Sequence, residues 1–298
     1  MNERKFKIFT DSTSNMVKED REKYGVDYLH MLFIVDGEEH LADLDWGEIS
    51  AHDYYELMRK GKRITTSLIK TDECEQKFTE AYEAGYDVLY IACSSKLSAS
   101  VKTAQLVADE LKAKYPDRKA VCIDSLASNY AESLMTMTAA KLADEGCSVE
   151  EVGAKIEAEK LKYCDYGTVE TLEYLKRAGR IKASKAFFGN LFGVKPIILG
   201  DAIGNNYAYK KVKGRKASLD ELVNVAVEKM ENAENSTLYI DHADSLADAE
   251  YVKAEVEKKM KVGNVQLGYI GPIVGAAIGP GAVIISFYGE EVTIVGEE

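Results

Sequence analysis

The sequence predicts an α/β protein made of two α/β domains whose sheets are largely parallel. Short apolar runs rich in β-branched and aromatic residues alternate with amphipathic helix patterns, an order typical of βαβ units. A length of 298 residues fits about two domains. Hydrophobic residues make up 46% of the chain and charged residues 30%, which is ordinary for a folded soluble protein.

The predicted strands follow one another at intervals that leave room for helices between them. They cover residues 7–10, 87–92, 120–123, 167–170, 196–199, 237–240, 265–270 and 283–288. Near residue 160 a helix pattern ends and a strand pattern begins without a Pro/Gly linker. We therefore expect one domain over 1–160, a second over 161–298, and close packing between them.

Two of the predicted helices carry their own start signals. Ser148 with Glu151, and Ser218 with Glu221, have the spacing of a capping box directly before apolar periodic residues. We expect each serine to be the N-cap of its helix.

The net charge of −12 conceals a local contrast. Residues 174–217 hold eleven Lys/Arg and one acid, so this window carries +10 and the remainder −22. The acidic remainder argues against nucleic acid or a charged membrane as a partner. The window is either a solvated face or a docking surface for an anionic head group or acidic partner. The docking candidates are Lys210, Lys211, Lys213 and Arg215.

Several classes of protein are excluded by missing patterns. The five cysteines are widely spaced and show no metal-ligand spacing, and no histidine motif suggests a metal. Neither a dinucleotide fingerprint nor a Walker loop is present, so we expect no cofactor. The charged start lacks a signal-peptide core, and Gly and Pro interrupt the longest apolar stretch. The sequence thus predicts a cytoplasmic protein without stable membrane insertion.

Small polar residues follow four of the predicted strands, at 10–14, 93–95, 124–125 and 241–245. Ligands of open α/β sheets bind beyond the carboxyl ends of strands, where helix N-termini favour anions. The same residue types are also good helix N-caps, so each position keeps a structural alternative. Ser94, Ser95 and Ser98 together supply more hydroxyl groups than the N-cap of one helix requires.

Two other segments have both a functional and a structural interpretation. Residues 64–67 place three consecutive hydroxyls in a binding loop or at the cap of the next helix. Residues 271–281, rich in glycine and apolar side chains, form either a ligand-facing wall or a tight turn. A catalytic triad of Ser94 or Ser95 with His242 remains an alternative, because triads are recognised by geometry, although no nucleophile-elbow motif supports one.

Taken together, these segments resemble the DegV family of fatty-acid-binding proteins, the acyl-carrying subunits of bacterial fatty acid kinase. The motifs that carry the resemblance span nearly the whole chain. They are Asp11-Ser12-Thr13, Thr66-Ser67, Ser94-Ser95-Lys96-Leu97-Ser98, Asp124-Ser125, Thr171 to Arg177 leading into Gly179-Arg180-Ile181, Lys195-Pro196 and Gly279-Pro280-Gly281.

The resemblance implies two α/β domains with a long-chain fatty acid in the cleft between them. The acyl chain would lie in an apolar tunnel, with Thr66, Ser94 and Ser95 holding the carboxylate and Arg180 nearby. The whole ligand-binding set expected from the resemblance is Thr66, Ser67, Ser94, Ser95, Ser98, Arg180, Ala277 and Gly279. A separate ATP-dependent kinase subunit would phosphorylate the bound carboxylate, so this chain itself would not be catalytic.

Two departures from the family pattern affect the expected head-group site. The family commonly has a histidine where this chain has Ala277, and Ser-Gly-Thr where it has Ser98-Ala99-Ser100. A methyl group donates no hydrogen bond, and a hydrogen bond to a charged group contributes roughly 1.5–3 kcal/mol. A lipid-sensing regulator without kinase coupling is therefore a further alternative to the fatty-acid carrier.

Overall fold

The computed structural model describes residues 4–183, 187 and 193–296. Its strands are β1 Phe6–Asp11, β2 Val26–Leu29, β3 Leu32–Val35, β4 Glu38–Leu41, β5 Ile64–Ser67, β6 Asp87–Ala92, β7 Ala120–Asp124, β8 Tyr163–Thr168, β9 Val194–Gly200, β10 Asn206–Lys213, β11 Thr237–His242, β12 Asn264–Tyr269 and β13 Val283–Tyr288. Its α-helices are α1 Lys18–Tyr24, α2 Ala51–Arg59, α3 Thr71–Glu83, α4 Ser100–Lys112, α5 Asn129–Asp144, α6 Val149–Glu159, α7 Glu173–Ala178, α8 Arg215–Lys229, α9 Leu246–Lys259 and α10 Pro272–Ile278. The predicted α/β class is confirmed.

The first sheet is parallel throughout, in the order β2-β1-β6-β7. Helices α3 and α4 cover one face, and α5 and α6 cover the other. Because both faces are buried, its central strands are almost continuously apolar, as in Val88–Ala92 of β6. That continuous run is what made β6 predictable within its exact bounds.

The second sheet is mixed, in the order β10-β9-β8-β13-β11-β12. Only β11 and β12 pair in parallel, and the other four pairings are antiparallel. The expectation of a largely parallel sheet is wrong for this half. For β9 and β10 the reason is local, because residues 201–205 join the two strands directly and a connection this short permits only antiparallel pairing.

The third sheet, β4-β3-β5, is antiparallel and was not predicted. Its strands are four residues long, too short for a clear alternation of buried and exposed positions. Asp36 and Gly37 have φ of 53° and 88° and form the turn between β3 and β4. An Asp-Gly pair in this conformation is a common two-residue hairpin turn, so a sequence signal for this hairpin was present.

Two further predictions about element ends need correction. Strand β8 ends at Thr168 and begins at Tyr163, so the predicted strand at 167–170 lay too late. Helix α8 begins at Arg215, so Ser218 lies inside it and donates from Oγ to the Arg215 carbonyl at 2.7 Å. The capping box of Ser148 at the start of α6 is confirmed.

The strands of the first and third sheets precede residue 160, and those of the second sheet follow it. Helix α5 nevertheless packs against β1 and β6 on one side and against β8 and β13 on the other. The division into 1–160 and 161–298 thus remains a prediction, and α5 joins the two halves. Among the described helices, none combines the length and apolar composition needed to cross a bilayer.

Candidate ligand-binding site

A cavity of about 310 Å³ lies where the two halves of the chain meet. This volume is within the range of roughly 300–1,000 Å³ common for small-molecule sites. Its walls come from β5 and the loops after β1, β6 and β7 on one side, and from β8, β9, α7, α10 and β13 on the other. The predicted crevice beyond strand ends therefore corresponds to a cavity with contributions from both halves.

The walls of this cavity are mainly apolar. Five consecutive or near-consecutive residues of α10 line it, and aliphatic side chains of the second sheet face them. The lining aliphatic residues include Val169, Leu175, Ile198, Ile273, Val274, Ala276, Ala277, Ile278 and Ile284. Residues 273–278 of the glycine-rich segment thus form a wall of this cavity, and their contact with a ligand stays a prediction.

Helix α10 is held in place from outside the cavity. Pro272 occupies its first turn, where a missing N–H costs nothing. The hydroxyls of Tyr54 and Tyr55 in α2 donate to the carbonyls of Pro272 and Ile270 at 2.6 and 2.5 Å. Gly275 faces the Tyr55 side chain so closely that a β-carbon there would collide with it. These contacts position the apolar wall.

Five exposed residues also line the cavity, and we call them the cationic rim: Arg63, Thr65, Thr66, Arg177 and Arg180. Arg180 crosses between the two halves, since its Nε donates to the Leu97 carbonyl at 2.9 Å. Its Nη1 donates to the Ala178 carbonyl at 2.7 Å. The rim gives the apolar cavity exposed hydroxyl and guanidinium donors.

Half of the predicted ligand-binding residues line this cavity. They are Thr66, Ser98, Arg180 and Ala277. The Ser98 hydroxyl lies 2.8 Å from the Ser100 hydroxyl at the start of α4 and accepts from the Ser100 N–H. Ser98 thus lines the cavity, but the N-cap position of α4 is Ala99 and no side-chain hydrogen bond caps this helix.

The other half lie away from the cavity surface. Ser94 is fully buried, and its hydroxyl donates to the Gly204 carbonyl at 2.7 Å. Ser95 is exposed, and its N–H donates to Asp124 Oδ1 at 3.0 Å. Ser67 pairs with Leu32 at the end of β5. Gly279 ends α10 with φ of 80°, and the Tyr174 ring lies against it. Their expected ligand contacts gain no support from this geometry.

Sequence reasoning missed Arg63, Arg177 and Asp165 as cavity residues. Arg63 lies two positions before the hydroxyl run at 65–67, which was a usable signal. Arg177 belongs to the basic window and to the motif from Thr171 to Arg177, but it was not among the predicted ligand-binding residues. Asp165 was missed because it lies inside β8, whereas the polar residues predicted to bind a ligand follow strand ends.

Asp165 is the one acidic residue among the described residues that line the cavity. The Ser286 hydroxyl donates to its Oδ1 at 2.5 Å, and burial raises the pKa of Asp165 to about 7. Asn129 Nδ2 lies 3.2 Å from Ser286 Oγ and donates to Asp241 Oδ2 at 2.9 Å. Burial raises the pKa of Asp241 to about 8. This polar chain links α5 to β8, β11 and β13 behind the cavity.

The early Asp-Ser-Thr motif is mainly structural. Asp11 Oδ1 accepts from the Thr13 N–H at 2.9 Å, and its Oδ2 accepts from the Tyr90 hydroxyl at 2.8 Å. The Thr13 hydroxyl lies 2.6 Å from Glu132, whose pKa burial raises well above its usual value. Thr13 itself lines the cavity. The motif thus fixes the end of β1 at the site.

The predicted triad is not assembled. His242 is buried and packs edge-on against the Tyr269 ring at 4.4 Å, and its Nδ1 accepts from the Ser245 N–H at 3.2 Å. Burial lowers the pKa of His242. In the described part of the chain no hydrogen bond joins this imidazole to Ser94 or Ser95.

Most of the predicted docking residues have partners within the chain. Lys210 forms an ion pair with Glu221 at 2.7 Å, and the Lys211 ammonium lies 4.8 Å from the centre of the Phe187 ring. Arg215 Nη2 bonds Asp248 at 2.7 Å and the Gly281 carbonyl at 2.5 Å, which secures the end of the glycine-rich segment. Lys213 is exposed at the end of β10.

Comparison with known proteins identifies the family. The profile described as "Uncharacterised protein, DegV family" matches residues 5–290. The chain belongs to the DegV family. A DegV domain-containing protein of Clostridium perfringens is 31% identical over 287 residues, covering 96% of this chain and 98% of that one.

Solved DegV structures share the fold over nearly the whole chain. A DegV family protein from Thermus thermophilus, solved in a study of its fatty acid binding, has a TM-score of 0.85 at 26% identity and covers 97% of this chain and 100% of its own. DegV from Bacillus subtilis, a fatty acid binding protein, has a TM-score of 0.81 at 23% identity, covering 97% and 100%. The resemblance inferred from short motifs is confirmed at the level of family and fold.

Proposed function

We propose that this DegV chain binds one long-chain fatty acid, with the acyl chain in the cavity and the carboxylate at the cationic rim. The observation that carries the proposal is an apolar cavity whose exposed lining residues supply hydroxyl and guanidinium donors. Burial of an acyl chain contributes about 0.8 kcal/mol per methylene group. The fatty acid binding of the Thermus thermophilus relative supports the same ligand class.

In this arrangement the head group meets Thr66 and Arg180, with Ser98 on the adjoining wall. Ala277 offers a methyl group at its place on α10, so the carboxylate depends on the rim rather than on an imidazole. Ser94 and Ser95 hold the loop after β6 through Gly204 and Asp124. They act as positioning residues for the wall.

The test is the affinity for palmitate, measured by isothermal titration calorimetry. Ala277→Trp places an indole inside the cavity, and we expect at least a tenfold loss of affinity. Ala113→Trp, at an exposed position beyond α4, is the matched control and keeps the native affinity. Equal palmitate binding by the two variants, both folded by circular dichroism, contradicts the assignment of the cavity.

We also propose that the loaded chain presents its fatty acid to a separate ATP-dependent kinase subunit in the cytoplasm, where the carboxylate becomes an acyl phosphate. The exposed rim supports this, because a head group there is reachable from outside. Lys210 and Lys211 have partners within the chain. Lys213, which is exposed at the end of the same strand, is therefore the docking candidate that we favour.

Formation of acyl hydroxamate with hydroxylamine measures this coupling. The assay contains the loaded chain, ATP and a purified bacterial fatty acid kinase subunit. We expect product only when all are present, and a reduced rate for Lys213→Glu but not for Lys102→Glu on the exposed face of α4. Absence of hydroxamate from a chain that retains its lipid contradicts coupling and favours a lipid-sensing regulator.

A further inference from the structure

Five polar side chains join α10 to the cavity wall through the interior of the protein, and we call them the junction network: Asn15, Asn129, Ser286, Asp241 and Asp165. The Gly271 N–H at the start of α10 donates to Asn15 Oδ1 at 2.9 Å. Asn15 Nδ2 donates to Asn129 Oδ1, and Asn129 Nδ2 donates to Asp241 and Ser286. The network ends at the cavity, because its last member accepts from the Ser286 hydroxyl and lines the wall.

The junction network crosses between the two halves of the chain. Asn15 follows β1 and Asn129 begins α5, whereas the other three members lie in strands of the second sheet. Both asparagines have the left-handed backbone conformation, with φ of 55° and 54°. Among residues other than glycine, asparagine is one of the few that adopt this conformation readily. Both amides bond residues far away in the sequence, so this conformation serves the contact between the halves.

The fit between Asn15 and the start of α10 is tight. A β-carbon at Gly271 would lie 2.6 Å from Asn15 Oδ1, so the close approach requires glycine there. The neighbouring Ile270 carbonyl accepts from the Tyr55 hydroxyl, which fixes the same turn from the side of α2. A displacement of Asn15 is therefore transmitted to α10, whose residues form the apolar wall.

The two carboxyls of the junction network have no counter-ion. Among the described residues, no ion pair includes Asp165 or Asp241. Burial raises the pKa of Asp165 to about 7 and that of Asp241 to about 8, and the nearby Asp165 charge contributes to the second shift. The closed network thus favours the protonated form of both groups.

Other titratable groups face this pair from several elements. Those beside Asp241 are Tyr55 of α2, Tyr130 of α5 and Tyr239 of β11. Lys160 and Asp201 line a small void behind Asp165, and the cationic rim lines the cavity in front of it. Lys160 is engaged by Glu157 at 2.7 Å, and Asp201 accepts from the Asn205 N–H at 2.7 Å. Glu132 of α5 bonds Thr10 and Thr13 instead.

We infer that Asn15 and Asn129 are positioning residues for the ligand cavity: they tie α10 to the buried carboxyl pair, so that ionisation of the pair loosens the junction and weakens binding of the acyl ligand. The inference rests on the proposed fatty-acid-binding function of the same cavity. A buried carboxylate without a counter-ion is costly, and opening of the junction admits water to it. Opening also separates Asn15 from Gly271, which displaces the apolar wall.

The direction of the pH effect follows from the two states of the junction. In the closed state burial raises the pKa of Asp241 from 3.8 to about 8, whereas a hydrated carboxyl keeps its ordinary value. The closed state is therefore most favoured below about pH 4, loses relative stability as the pH rises, and reaches its limit above about pH 8. Because only the closed state keeps α10 in place, palmitate affinity should fall over the same range.

Asp241→Asn tests the coupling, because Asp241 belongs to the junction network but lies outside the described cavity lining. The new amide does not ionise, and its oxygen still accepts from Asn129. Isothermal titration calorimetry with palmitate at pH 5.5 and 8.5 gives the ratio of variant to native affinity, in which ionisation of the ligand cancels. We expect this ratio to rise by about threefold or more with pH. A constant ratio overturns the inference.

Asn15→Gly tests the link to α10, because glycine keeps the left-handed backbone and removes both amide contacts. We expect palmitate affinity at pH 5.5 to fall by about fivefold or more, and the pH effect of Asp241→Asn to disappear in this background. Asn232→Gly is the matched control and should change neither, since Asn232 has φ of 48° and its side chain bonds Asn235. An undiminished effect of Asp241→Asn in the Asn15→Gly background overturns the role of Asn15.

Trp46, the single tryptophan of the chain, reports on α10 without any ligand. Its ring lies 6.1 Å from that of Tyr55, which bonds the Ile270 carbonyl. Its emission should change between pH 5.5 and 8.5, and clearly less in Asp241→Asn. Failure of the native chain to bind palmitate refutes the proposed function, and equal emission changes in both chains then refute the junction as well. Palmitate binding with a constant affinity ratio refutes only this inference.

Discussion

Replacing Asp165 with asparagine should change how stability depends on pH. In the folded chain burial raises the Asp165 pKa from 3.8 to about 7, so folding favours the protonated form. Ionisation of the buried carboxyl therefore lowers the free energy of unfolding. This loss of stability is absent below about pH 4, grows as the pH rises, and is complete above about pH 7. At 1.36 kcal/mol per pKa unit, a shift of about three units corresponds to roughly 4 kcal/mol at most.

The amide introduced by Asp165→Asn does not ionise. The free energy of unfolding of this variant minus that of the native protein should therefore increase as the pH rises. The assay is urea denaturation at pH 4, 6 and 8, with Asp117→Asn as an exposed control. Changes in hydrogen bonding to Ser286 shift the difference by a constant amount. A difference that stays constant from pH 4 to pH 8 would refute the reasoning.

Two further predictions concern positioning residues. Ser94→Ala removes the hydrogen bond from the Ser94 hydroxyl to the Gly204 carbonyl. Thermal unfolding should therefore show a free energy of unfolding lower by about 1–3 kcal/mol. The native chain should stay unlabelled by a fluorophosphonate, and stoichiometric labelling of Ser94 would instead support a hydrolase. Tyr55→Phe removes the hydroxyl bond to the Ile270 carbonyl behind α10, so stopped-flow measurements should show faster palmitate release, and an unchanged release rate would argue against this role.

The family and much of the fold could be predicted from the sequence because their signals are local. Buried central strands such as β6 appear as continuous apolar runs, and the capping box at Ser148 occupies only four residues. The short strands β3, β4 and β5 were missed because a four-residue strand carries almost no periodic signal. Edge strand β10 was missed because its cations resemble a solvated segment, although charges are common on sheet edges.

The site was only partly predictable because its residues meet through packing. Arg63 and Arg177 are separated by more than a hundred positions, yet both line one cavity, and α10 packs against both β5 and α7 there. Ser94 and Ser98 are equally polar in the sequence, yet one hydroxyl bonds Gly204 inside the protein and the other residue lines the cavity. The direction of a side chain depends on the partner that the distant half of the chain supplies.

The most direct test of the central claim is denaturing mass spectrometry of the chain purified without added lipid. The cavity between the two halves predicts one long-chain fatty acid released per chain, or stoichiometric uptake of palmitate by a delipidated sample. No released fatty acid together with no uptake of palmitate or oleate would contradict the proposal.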